Sequence, residues 1–225
     1  MKHPGFYRCC KRTYDCLGSL ALLVLLSPLL AAIWCLVRLK MGAPALFRQE
    51  RAGLRGRPFQ VLKFRTMTSE RDAAGRLLPD IQRISALGRF LRRSSLDELP
   101  QLWNVVKGEM SLVGPRPLYV DYVPRYSEQQ RRRLEVRPGI TGLAQIRGRI
   151  TLDWTERLRL DVEYVDRASL ALDLAILVRT LKKVAATENV PESGVDPTRQ
   201  FQGEGAGNPA GRRDPREGID PGHSS

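Results

Sequence analysis

Adjacent carboxylates, Asp97-Glu98, are the first residues in this chain whose types invite chemistry. They lie in Ser95-Leu96-Asp97-Glu98-Leu99-Pro100, a segment that reads as a helix start. Ser95 with Glu98 three residues later fits a capping box; with Asp97 as the cap, Pro100 falls inside the first turn instead. Either register puts both carboxylates at a helix N-terminus, where their plain use is to cap it and offset its dipole. A chemical use is also open. A carboxylate there keeps its charge and nucleophilicity, and a phosphate can dock on the same free N–H groups. Lys63, Arg65, Arg92, Arg93 and Arg116 supply the cations that a diphosphate would need. A divalent cation bridging Asp97 or Glu98 to phosphate oxygens would be hard and oxygen-seeking, Mg²⁺ with Mn²⁺ as its substitute, rather than zinc.

Arg116 stands between Pro115 and Pro117, which fix φ and restrict the residues before them, so its guanidinium is carried on a stiff loop. Held so, it can grip a phosphate through two parallel hydrogen bonds; otherwise it is a turn arginine facing solvent. His3 and His223 sit near the termini, which disfavours a histidine base. All four cysteines, Cys9, Cys10, Cys16 and Cys35, fall in the first 35 residues. The adjacent Cys9-Cys10 pair suits neither a disulfide nor a C-x₂-C metal site, so reduced cytosolic thiols without zinc are expected.

These groups need a body to position them. The chain has 225 residues, about one domain's length. With 37 Lys+Arg against 24 Asp+Glu it carries +13, and residues 191–225 sum to −2, so the basicity belongs to the body. That charge excludes an acidic, self-solvating polypeptide and points to an anionic partner: phosphate, nucleic acid or an anionic membrane face. Aromatic residues, at 7%, are too few for a repeated base-stacking platform.

Residues 17–37 carry no charge, and as a continuous helix they would rise about 31 Å, enough to cross a hydrocarbon core. A signal peptide is excluded because Trp34, Cys35, Arg38 and Lys40 stand where a small-residue cleavage site belongs. Both flanks are basic: Lys2, Arg8, Lys11 and Arg12 before, Arg38, Lys40, Arg48 and Arg51 after. Both therefore want the cytosolic face. Ser27-Pro28 sits mid-stretch, where proline kinks or breaks a helix. A helix bent there can dip into one leaflet and return, with the freed backbone groups satisfied by Ser27, protein or water. A straight span with a mild kink is equally compatible with these residues.

Downstream, residues 42–67 read as short strands with Gly-rich turns, Phe59, Val61 and Lys63 sharing one face. Residues 68–82 read as loop, and 85–107 as helix with a break near Ser94-Ser95. Met110–Val113 reads as a short strand or loop, 119–136 as helix with a basic run, Arg131-Arg132-Arg133, and Arg137–Gly142 as a turn. A second apolar helix, Leu170–Leu181, contains Asp173 and ends in Arg179, Lys182 and Lys183; it is too short to span and suits packing or the interface. From 191 onward Gly and Pro dominate, predicting a flexible tail.

In order and spacing, these segments resemble the bacterial sugar transferases, the monotopic polyprenol-phosphate phosphoglycosyl transferases, in their short form. The similarity runs through Lys11-Arg12 and Asp15, Ser27-Pro28, Phe47–Gly53, Lys63–Met67, Leu91–Val105, Gly108–Pro117 and Arg137–Gly142. It implies an α/β, mostly helical, membrane-associated catalytic domain with a re-entrant N-terminal helix and interfacial amphipathic helices. The divisions are 1–40 for the re-entrant region broken at Ser27-Pro28, 41–190 for the cytosolic transferase domain, and 191–225 for the tail. It implies a UDP-sugar as donor, undecaprenyl phosphate as acceptor and UMP as leaving group. On this chain Asp97 becomes the nucleophile, passing through a phosphosugar–aspartyl intermediate, and Glu98 with Asp97 the Mg²⁺ ligands. Lys63, Arg92 and Arg116 become the phosphate-binding cations, with Arg65 and Asp173 as site support. The implied location is the cytosolic face of the bacterial inner membrane, among anionic phospholipids, with no nucleic-acid partner. A non-enzymatic scaffold for polysaccharide assembly would have no need of Asp97-Glu98 beside Arg116. A membrane-tethered nucleic-acid-binding protein would show a recognisable motif in place of scattered cations.

Overall fold

The computed structural model describes residues 5–148, 152–185 and 201. Two helices come first, α1 (Gly5–Leu25) and α2 (Ser27–Met41), and they meet at Leu26 with their axes bent by 64°. The local chemistry explains the bend. Pro28 has no N–H to offer the carbonyl of Val24, and the Ser27 hydroxyl donates to that carbonyl instead, at 2.8 Å. No single described helix is long and apolar enough to cross a membrane, whereas the bent pair together passes by length and composition. Leu17, Leu20, Val24, Leu25 and Leu29 around the bend are exposed.

Both outer ends of this pair are built into the body. On α1, Arg12 donates to the carbonyls of Val105 (2.6 Å) and Val106 (2.8 Å), while Asp15 accepts from Ser111 Oγ (2.7 Å) and Leu112 N (3.1 Å). On α2, Ile33, Val37 and Met41 pack with Phe64 and Leu91.

Strands β1 (Leu46–Ala52) and β2 (Pro58–Phe64) form an antiparallel hairpin with Phe47 opposite Lys63. After the short helix α3 (Asp80–Arg83), α4 (Ala86–Arg93) starts at Ser85, whose Oγ accepts from Gly88 N at 2.9 Å. Gly88 has to be glycine: a Cβ there would lie 1.9 Å from the Thr66 carbonyl oxygen. That close approach sets α4 on the strand exit and lets Arg92 Nε donate to Thr66 Oγ1 at 2.9 Å.

Helix α5 (Gln101–Lys107) leads to β3 (Ser111–Val113), which pairs in parallel with β4 (Gly139–Thr141). The Gly-Pro-Arg-Pro loop and the Arg-Pro-Gly turn therefore meet backbone to backbone, and a Cβ at Gly139 would stand 2.1 Å from Gly114 N. The continuous helix expected over 119–136 is interrupted: a 3-10 segment Val120–Arg125, then α6 (Glu128–Arg131), then a second 3-10 segment Arg132–Glu135. Pro124 and the Ser127 capping box account for the breaks.

Helices α7 (Leu143–Arg147), α8 (Trp154–Arg167) and α9 (Leu170–Ala185) close the fold around Val113, Leu160, Tyr164 and Ile176. The predicted tail lies outside the described residues except at Phe201. That side chain is 4% exposed, packs with Tyr122, Tyr126 and Trp154, and its carbonyl accepts from Arg125 at 2.8 Å. Among the described residues the domain is thus mostly helical, with two small sheets.

Candidate active site

Asp97 and Glu98 do not open a helix in either expected register. They occupy a 3-10 turn, Leu96–Glu98, and Pro100 takes the N-cap position of α5. Ser95 forms no capping bond there; it sits in the left-handed region at φ 57°, which reverses the chain between α4 and the turn. A non-glycine residue in that region stores backbone strain, a feature enriched at functional sites. The reversal turns both carboxylates inward, to 8% and 7% exposure.

The structure brings three of the expected residues, Lys63, Arg92 and Arg116, to this turn. Lys63 Nζ, from β2, donates to Glu98 Oε1 at 3.0 Å. Arg116 holds both carboxylate oxygens, Nη2 to Oε1 at 2.7 Å and Nη1 to Oε2 at 3.4 Å. Arg92 reaches Asp97 electrostatically while tied to Thr66. Glu98 is therefore clamped, whereas Asp97 has no hydrogen bond or ion pair among the described residues. Burial pushes the Asp97 carboxyl up to about 6; the Glu98 charge adds to the rise, and Lys63, Arg92 and Arg116 oppose it. Asp97 is thus a buried carboxylate without a hydrogen-bond partner among the described residues, its charge acted on by three cations.

Supports behind the cluster were not evident from sequence. Asn104, fully buried on α5, accepts from Leu62 N (3.0 Å) and donates to the Gln60 carbonyl (2.7 Å) and to Glu109 (2.6 Å). It pins β2 to α5 and so sets Lys63 beside Glu98. Arg133, read as part of a basic run, is buried beneath the Arg116 loop. It donates to Asp161 Oδ2 through Nε (3.0 Å) and Nη2 (2.7 Å), to Tyr126 Oη (3.2 Å), and to the Arg116 carbonyl (2.7 Å). A polar residue flanked by core positions is the one signal that finds them: Asn104 among Leu102 and Val105, Asp161 among Leu160 and Val162.

Two expected supports lie elsewhere. Arg65 spends its guanidinium on the Met67 and Ala43 carbonyls (both 2.9 Å) and Ser69 Oγ (2.8 Å), bracing the loop after β2. Asp173 is 1% exposed and accepts from Tyr7 (3.3 Å), Tyr14 and Tyr164 (2.7 Å), with Lys11 Nζ at 3.0 Å. Those bonds tie α9 to α1 and α8, and none reaches Asp97. As for a metal, no group of three or more His, Cys, Asp or Glu converges among the described residues. Of the two carboxylates expected to hold one, Asp97 has no hydrogen-bond partner among the described residues, whereas both Glu98 oxygens are bonded by Arg116 and one also by Lys63.

Comparison with known proteins gives a consistent result. A family profile described as bacterial sugar transferase matches residues 6–187. The chain is 50% identical over 195 residues to the uncharacterized sugar transferase EpsL of Bacillus subtilis, covering 87% of this chain and 96% of that protein. It is 41% identical over 194 residues to a UDP-glucose:undecaprenyl-phosphate glucose-1-phosphate transferase of Caulobacter vibrioides, covering 80% and 71%. A Salmonella typhimurium undecaprenyl-phosphate galactose phosphotransferase is 40% identical over 191 residues, and the match spans 40% of its length.

Proposed function

The chain belongs to the bacterial sugar transferase family, and on that premise we propose that it moves a sugar-1-phosphate from a UDP-sugar to undecaprenyl phosphate, releasing UMP. The observation that carries the reading is Asp97: buried, unpartnered among the described residues, and surrounded by Lys63, Arg92 and Arg116.

In the first half-reaction an Asp97 carboxylate oxygen attacks the phosphorus that bears the sugar. The bond from that phosphorus to the bridging oxygen breaks, and UMP leaves with the electron pair. In the second, a phosphate oxygen of the polyprenol attacks the same phosphorus and Asp97 departs as carboxylate. Lys63, Arg92 and Arg116 stabilise charge on the transferring phosphoryl group. Glu98 keeps Lys63 and Arg116 in place between substrates. Asp97 and Glu98 would hold Mg²⁺, or Mn²⁺ in its stead, which supplies neutralisation of the diphosphate.

The helix pair completes the reading. Because α1 and α2 are both bonded to the same body at their outer ends, the bend at Leu26 can enter a leaflet only from the body's side. This supports a re-entrant, monotopic placement on the cytosolic face of the inner membrane, where a soluble nucleotide sugar meets a lipid phosphate held at the interface.

The test is UMP release from a panel of UDP-sugars with Mg²⁺ and no lipid acceptor. A burst stoichiometric with enzyme is expected. UMP appearing only when both substrates are present would replace this scheme with direct transfer.

A further inference from the structure

A cavity of about 670 Å³ lies between the tip of the β1–β2 hairpin and the C-terminal end of α5. It is separate from the Asp97 cluster, none of whose residues line it. Five cations do: Arg48, Arg55, Arg57, Lys107 and Arg137, with Trp103 beside them. The one acid, Glu109, is already held by Lys107 at 2.7 Å and by Asn104. Arg137 is anchored through Nε to the Gly108 carbonyl at 2.8 Å. Among the described residues Arg48, Arg55 and Arg57 form no side-chain hydrogen bond or ion pair. Three such guanidiniums around one cavity repel each other unless an anion joins them. Arg55 also holds φ 57°, an unfavourable backbone for a side-chain-bearing residue. Trp103 is 50% exposed beside these charges. The lining thus asks for a ligand with an anionic end and an apolar end.

Its level in the molecule says which ligand. Arg12 grips the Val105 and Val106 carbonyls at the end of α5, next to Lys107 in the cavity wall. On α1, Arg12 stands five residues before Leu17, which is 61% exposed and begins the apolar run. The cavity therefore lies where the surface changes from charged to apolar, the zone in which arginine and tryptophan meet lipid headgroups. We propose that this cavity binds an anionic phospholipid, its phosphodiester between Arg48, Arg55 and Arg57 and the start of its acyl chains against Trp103. The assignment rests on the membrane placement proposed above, but a water-soluble lipid probe tests it without requiring that placement.

The experiment uses the full chain with Trp34→Phe and Trp154→Phe, leaving Trp103 as reporter. Dihexanoyl-phosphatidylglycerol, below its micelle concentration, is expected to give a saturable change in Trp103 emission. Dihexanoyl-phosphatidylcholine, inorganic phosphate and UMP are expected to give none. Replacing Arg48, Arg55 and Arg57 together by Ala should weaken the phosphatidylglycerol response by about tenfold or more, as loss of charge-assisted contacts requires. Circular dichroism should be unchanged, because all three side chains are exposed. An equal response to phosphatidylcholine, a response to phosphate or UMP that competes with phosphatidylglycerol, or full affinity in a folded triple variant would each overturn the assignment.

Discussion

Replacing Asp97 by Asn removes a charge from a site that is 8% exposed and beside Glu98. The wild-type carboxyl, ordinarily near 3.8, stands at about 6 in the folded protein, a difference worth about 3 kcal/mol between the two protonation states. With the folded value raised, the proton on Asp97 stabilises the fold fully below about pH 4, and that stability is lost as pH rises through about 6. Linkage puts about 2 kcal/mol of the loss between about pH 4.5 and 7.5. Asn has no such titration, so its own desolvation cost is a constant offset. The stability of Asp97→Asn relative to wild type should therefore rise by about 2 kcal/mol across that range, roughly 4–8 °C in Tm for a chain of this size. The assay is thermal unfolding of both proteins in nanodiscs at several pH values, with a chelator present and no substrate. Activity should be lost in Asp97→Asn at every pH tested, while its stability relative to wild type rises with pH. A difference that is flat or falls with pH would show that Asp97 is not a destabilised buried carboxylate.

Other perturbations probe the remaining parts. Arg116→Lys keeps the charge but loses the fork that now spans both Glu98 oxygens, and UMP release should fall by about 100-fold or more with membrane association unchanged. Asp161→Asn leaves Arg133 buried without its carboxylate and should cost about 3–5 kcal/mol in urea unfolding. Pro28→Ala restores a donor for the Val24 carbonyl and should straighten the bend, seen as altered accessibility of a cysteine placed near the N-terminus.

Where a local rule acts alone, the sequence was a good guide. The Ser27-Pro28 break, the strand carrying Lys63 and the interruption at Ser94-Ser95 all follow from proline chemistry, alternation or turn residues. Of the cations, the flanking prolines singled out Arg116 alone; Lys63 and Arg92 were set apart from Arg65 and Arg93 by the resemblance. What escaped depends on contacts distant in the chain. The Asp97-Glu98 turn is shaped by Ser95 adopting a left-handed backbone that its residue type does not announce. Arg133 looks like one member of a solvated run until Asp161, from α8, reaches it from 28 residues away. The resemblance implied a supporting place at the site for Asp173, whereas three tyrosines and Lys11 hold it at the α1–α9 junction.

Trapping the intermediate distinguishes covalent transfer through Asp97 from direct transfer. Enzyme incubated with the donor UDP-sugar and Mg²⁺, without acceptor, is quenched, digested and mapped by mass spectrometry. A phosphosugar is expected on the peptide containing Asp97, absent in Asp97→Asn and discharged when undecaprenyl phosphate is added. An active enzyme that never carries the adduct, or carries it on another residue, would contradict covalent transfer through Asp97.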